Sequence, residues 1–332
     1  MTESKNWKLL ERRRIGPGRG RIVCVANQKG GVAKTTTSVN LAAGLALRGH
    51  RVLVVDVDPQ SNAATGLGID HRSLERSTYH LLLGDASLDD VVRSTAIKNL
   101  DCAPASLDLA GAEVELVSTM ARERRLGEAL VGAVDRYELV FLDCPPSLGL
   151  LTVNALAAAQ DLIVPVQCEY YALEGLGQLL GNAERVRRSL NPDLRIAGFL
   201  LTMYDGRTKL SSQVENDVRS HFGDLVFETR IPRSVRLSEA PSFGEPVLTL
   251  DPSSRGAVAY RLLAAEVESL YGLAVHKPPP PPPEPATVPA VTATRPSSPG
   301  PGGRGYGVKT PLPDFPDSVW PRGEAWSALE PS

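Results

Sequence analysis

Asn27-Gln28-Lys29-Gly30-Gly31-Val32-Ala33-Lys34-Thr35-Thr36-Thr37 joins an apolar, β-branched run at 22–26 to a helical pattern over 34–48. A strand that breaks into a glycine pair and then into a helix is what a phosphate cradle requires. Glycines let successive backbone N–H groups turn inward around phosphate oxygens, and the helix N-terminus adds its partial positive charge. In that setting Lys34 reaches the β- and γ-phosphates of a nucleotide and the Thr35 hydroxyl can ligate Mg²⁺. A turn that only joined a strand to a helix would have no need of two lysines and a threonine triplet. The ordinary phosphate-loop pattern puts glycines at 28 and 33. Here those positions hold Gln28 and Ala33, and a second lysine, Lys29, enters the loop.

Downstream, Val52-Leu53-Val54-Val55-Asp56-Val57-Asp58-Pro59-Gln60 is a buried-type strand ending in two carboxylates. Leu139-Val140-Phe141-Leu142-Asp143-Cys144-Pro145-Pro146 repeats the design. Such strand ends face the ligand in open α/β sheets. An acid at the end of an apolar strand needs a partner, and a cation is the obvious one. The second stretch looks like a Walker B segment, a resemblance that implies Asp143 holds Mg²⁺ through water. Further strands are expected at 162–166 and 196–203, and helices at 122–135, 150–159, 173–190, 210–222 and 257–270. This alternation predicts an α/β fold, a doubly wound, mostly parallel sheet flanked by helices.

Three segments are expected: a basic, flexible arm at 1–20 (Arg12, Arg13, Arg14, Arg19), a folded domain at 21–271, and a tail at 272–332. Six consecutive prolines, Pro278 to Pro283, open a stretch too poor in apolar residues to fold, so the tail is expected to be disordered. The net charge of −2 excludes a globally basic nucleic-acid binder and leaves room only for a local patch. Cys24, Cys102, Cys144 and Cys168 lie apart in apolar segments with no metal-binding spacing, and read as buried thiols of a cytoplasmic protein. No apolar run is long enough to span a bilayer.

Lys-Gly-Gly-x-x-Lys-Thr, at Lys29 to Thr35, resembles the deviant Walker A motif of the ParA/MinD family of P-loop ATPases. The resemblance implies ATP and Mg²⁺ as cofactors, with Lys29, Gly30, Gly31, Val32, Ala33, Lys34, Thr35 and Thr36 around the phosphates. It also implies a sandwich homodimer in which Lys29 reaches the nucleotide held by the partner subunit, as an arginine finger does in trans. In the family's terms Asp58 orients the attacking water, Asp56 supports the Mg²⁺ shell, and Asp143 belongs to a Walker B segment. The stretch Ile231 to Ser242 is similar to one typical of the ParA/Soj chromosome-partitioning branch, with Pro232 and Ser234 bordering the adenine, and Thr202 to Thr208 is a second such match. In that branch the arginines corresponding to Arg207 and Arg236 bind double-stranded DNA without sequence preference.

The expectation is therefore an ATPase, slow on its own, that partitions a chromosome or plasmid. Its ATP-bound dimer coats nucleoid DNA and is released when a ParB-like protein stimulates hydrolysis. The alternative is a MinD-like membrane-cycling ATPase, or another deviant Walker A ATPase that positions a cargo. A membrane cycler would need an amphipathic helix at the extreme C-terminus, whereas the last helix expected here carries a core-like apolar face and is followed by polyproline. An iron–sulfur reductase on the same loop would need cysteines placed to bridge a cluster, and a tyrosine kinase a cluster of tyrosines where the tail has Tyr306.

Overall fold

The apolar runs form strands because both of their faces are covered. In the computed structural model, which describes residues 20–169 and 172–274, seven strands make one sheet. They are β1 (Arg21–Val25), β2 (Val52–Asp56), β3 (Arg93–Ser94), β4 (Leu100–Ala103), β5 (Leu139–Asp143), β6 (Asp161–Gln167) and β7 (Arg195–Thr202). Their order is β3-β4-β2-β5-β1-β6-β7, with every pair parallel except β3 and β4. All residues of β2 and β5 are buried, so these strands read as continuous rather than alternating apolar runs.

Successive side chains of a strand point to opposite faces, and the two cores divide accordingly. Val23 and Val25 of β1 pack with α1 (Lys34–Leu47), through Leu41 and Leu45, and with α13 (Arg255–Tyr271), through Tyr260, Leu263 and Val267. Ile22 and Cys24 turn to the other face, against α8 (Leu150–Ala158), α9 (Ala172–Ser189) and α10 (Lys209–Phe222). Short helices fill the rest: α2 (Asn62–Gly66), α3 (Thr78–Leu83), α4 (Leu88–Val91), α5 (Leu109–Glu115), α6 (Arg125–Ala129), α7 (Ala133–Arg136), α11 (Val235–Glu239) and α12 (Val247–Leu250). The doubly wound, mostly parallel fold expected from the sequence is the fold observed, and all four cysteines are free and buried.

Two expectations need correction. The single helix over 122–135 is broken into a 3₁₀ turn at Arg122–Arg124, then α6, then α7. Gly132, with φ 84°, stands between α6 and α7 at the start of the latter, and the Asn154 side chain takes up the Leu126 N–H and the Arg122 carbonyl. Strands β3 and β4 had no counterpart in the sequence reading, because a two-residue strand and a four-residue strand carrying Asp101 show no apolar run. The expected arm at 1–20, Gly20 apart, and the expected tail beyond residue 274 lie outside the described residues.

Beneath the amino ends of β2 and β5, fully buried His50 stands between two carboxylates. Its Nδ1 lies 3.0 Å from Glu138 and its Nε2 2.8 Å from Glu268 of α13, which also receives Arg48. Removing the imidazole costs the hydrogen bonds to both carboxylates, a loss of about 3 kcal/mol in all. His50→Ala is therefore expected to lower Tm by roughly 10 °C, read by circular dichroism, and an unchanged Tm would show that the network does not hold α13.

Candidate functional site

The glycine loop leaves the carboxyl end of β1, in the middle of the sheet, and the β6 main chain and a β7 side chain clamp it. Buried Asn27 donates to the Pro165 carbonyl at 2.7 Å and accepts from the Lys29 N–H at 3.0 Å. The Thr202 hydroxyl donates to the Val32 carbonyl at 3.1 Å. Gly31 has φ 72° and Ala33 φ 68°, so left-handed residues alternate along the loop, a backbone concavity that suits anions. A Cβ added at Gly30 or Gly31 would meet nothing within 4 Å, so the concave side is open. At Ala33 the left-handed conformation costs about 1–2 kcal/mol in a residue with a Cβ. The backbone that the ordinary pattern obtains with glycine is kept here without it.

Strand register brings the acids together. Asp56 and Asp143 are directly paired across β2 and β5, and both point toward the α1 side of the sheet. Asp143 is fully buried, its Oδ2 accepting from the Thr35 hydroxyl at 2.7 Å and its Oδ1 from the Ser38 hydroxyl at 2.8 Å. Burial, with the charge of Asp58 adding to it, pushes its carboxyl up to about 6, against the pull of those two hydroxyls and of Lys34. Burial also pushes Asp56 well above the usual carboxylate range, helped by the neighbouring Asp143. Lys34, 7% exposed, lies 3.2 Å from the Lys29 carbonyl; burial lowers its pKa while Asp143 and Asp58 pull it back up.

Buried Asp56 also has partners within the chain. Its Oδ1 accepts from the Asp58 N–H at 3.1 Å, and its Oδ2 from the N–H groups of Ala63 and Ala64 at the start of α2. Backbone amides are thus its hydrogen-bond partners, as befits a carboxylate at a helix N-terminus. Asp58 is 7% exposed and accepts from the Gln60 N–H at 3.0 Å.

Three carboxylates set against one buried ammonium leave the site short of positive charge. A hydroxyl, carboxylates and phosphate oxygens are the hard donors that Mg²⁺ prefers, so the residues present fit that ion. Among the described residues no three His, Cys, Asp or Glu side chains converge as a metal cage.

Lys29 takes a different direction from Lys34. Its Nζ reaches Glu169 at 2.9 Å, with the two side chains 39% and 46% exposed. Such a half-exposed pair is worth under about 1 kcal/mol, so it is easily opened. Next to the loop, a cavity of 330 Å³ is lined by Ala33, Thr36, Met203, Pro232, Ser234 and Leu237. Both residues expected to border a base thus line the same cavity as Ala33 and Thr36 of the loop. The structure places Arg207 and Arg236 outside this cluster. Arg207 is 89% exposed and forms a two-point pair with Asp205; Arg236, on α11, pairs with Glu239 and Asp251.

Asn27, Ser38, Glu169 and Thr202 were not singled out in the sequence. Each is one polar residue whose role depends on a strand or helix distant in the chain.

Comparison with known proteins agrees with this geometry. An AAA domain family matches residues 20–196. The sporulation initiation inhibitor protein Soj of Bacillus subtilis is 55% identical over 248 residues, 75% of this chain and 98% of that protein. The chromosome partitioning protein ParA of Caulobacter vibrioides is 53% identical over 251 residues, 75% of this chain and 94% of that protein. A crystal structure of cobyrinic acid a,c-diamide synthase from Mycobacterium smegmatis, with bound ATP analogue and magnesium, superposes with a TM-score of 0.68 at 40% identity, covering 76% of this chain and 96% of that one. A phosphate loop, paired strand-end acids and relatives matched over nearly their whole length converge on one assignment: the chain belongs to the ParA/Soj chromosome-partitioning family of P-loop ATPases.

Proposed function

We propose that the chain is a Mg²⁺-dependent ATPase whose ATP-bound homodimer binds double-stranded DNA without sequence preference and lets go when ATP is hydrolysed. The observation that carries this reading is the divergence of the two loop lysines. Lys34 is buried against Asp143, whereas Lys29 stands half exposed at the rim, in a weak pair with Glu169. A cation at the rim is placed to serve a nucleotide in a second protomer.

In this mechanism the amides of Gly30 to Thr36 and the Lys34 ammonium bind the phosphates, and Pro232 and Ser234 border the base. Thr35 and Asp143 would hold Mg²⁺, with Asp56 supporting through charge and water; the ion supplies neutralisation of the phosphate oxygens. Asp58 orients the attacking water. Lys29 of the partner subunit approaches the γ-phosphate once it leaves Glu169. One acid and one lysine leave the transferring group incompletely stabilised, so hydrolysis is slow until a ParB-like protein completes the site. The folded domain would span 21–271 and act in the cytoplasm, on the nucleoid. No helix among the described residues is long and apolar enough to cross a membrane. The MinD-like alternative gains nothing from α13, whose Ala257, Tyr260, Leu263, Ala264 and Val267 are spent on the core.

Arg207 and Arg236 are the proposed DNA contacts. Two arginines per protomer give four per dimer, and hence a slope of log K against log salt of about −4. Binding to random-sequence duplex is expected with ATP and not with ADP, and Arg236→Ala should halve that slope to about −2. Equal affinity with ATP and ADP would end the partition reading and leave the ATPase standing.

A further inference from the structure

Ser38 sits one turn into α1 from Thr35 and is fully buried. A serine inside a helix ordinarily bonds the carbonyl four residues earlier. For Ser38 that is the Lys34 carbonyl, at 3.2 Å, but Asp143 Oδ1 is nearer, at 2.8 Å. A hydroxyl has one proton to give, and the charge-assisted bond to a carboxylate is the stronger choice. Thr35 and Ser38 are three apart on one helix face, and each grips one oxygen of Asp143. Thr35 is proposed to be a metal ligand itself. Ser38 has no such second duty.

We propose that Ser38 is a positioning residue for the metal: it fixes the orientation of the Asp143 carboxylate that Mg²⁺ meets. This rests on the reading of the loop as a nucleotide–magnesium site. The hydroxyl on Oδ1 restricts rotation of the carboxylate about its Cβ–Cγ bond, so the acid waits in one pose instead of several. Without that hydroxyl the pose must be selected when the ion binds, and affinity falls. Losses of about ten- to a hundredfold in metal affinity are usual when a group that orients a ligand is removed.

The test uses the full chain and a fluorescent methylanthraniloyl-ADP probe, titrated with Mg²⁺ and, separately, measured in excess chelator. Ser38→Ala, which suits a helix, is expected to raise the half-saturating Mg²⁺ concentration at least about tenfold. Its affinity for the probe in chelator should stay within about twofold of wild type. Ser38→Thr, which keeps the hydroxyl, is expected to recover most of the loss. A Ser38→Ala titration matching wild type overturns the proposal, as does an equal loss of probe binding in chelator, which would make Ser38 a packing residue. If wild type itself gains nothing from Mg²⁺, the magnesium reading of the whole site falls and this inference with it.

Discussion

Lys29→Ala is expected to lower ATP hydrolysis about a thousandfold while binding of ATP to the monomer changes by less than about twofold. The asymmetry follows from where the side chain points. Lys29 reaches Glu169 at the rim, whereas Lys34 lies buried beside the acids, so truncating Lys29 removes little from its own subunit's phosphates. Opening the pair with Glu169 costs under about 1 kcal/mol. What disappears is the charge offered to a second protomer. Single-turnover hydrolysis and light scattering with ATP check both halves: no ATP-dependent dimer and no turnover, with monomer affinity intact. If ATP affinity falls in proportion to turnover, Lys29 acts within its own subunit and the paired site is wrong.

Asp58→Ala should separate binding from chemistry in the opposite sense. Loss of a residue that positions the attacking water costs about 10²–10⁴ in rate. The phosphates keep the loop amides, Lys34 and Thr35, and the dimer keeps Lys29. The variant should therefore accumulate as an ATP-bound dimer that stays on DNA, where Lys29→Ala never reaches it. Gel-shift assays with the two variants side by side read this directly. A variant that fails to bind ATP would instead assign Asp58 to the scaffold, through the bond it accepts from the Gln60 N–H.

The core of the fold was legible because β2 and β5 are buried on both faces, which leaves an uninterrupted apolar run for each and a carboxylate at its end. Loop, Asp56, Asp58 and Asp143 stand where strand and helix periodicity puts them. The sequence misled where one residue outweighed a pattern, as Gly132 does in splitting the helix at 122–135. The partners of Asp56 were hidden for a related reason: backbone amides of α2 have no letter in a sequence. Ser38 is not legible because a serine that follows three threonines looks like composition, and only the packing of β5 against α1 gives it Asp143.

Ala33 carries a lesson for recognising such loops elsewhere. A pattern written in residue letters, with glycine demanded at that place, would discard this chain, although its main chain bends there as glycine would. Written in dihedral angles, the same pattern would keep it. What evolution has to preserve at that place is a direction of the peptide plane, and alanine, at a modest energetic penalty, can hold it.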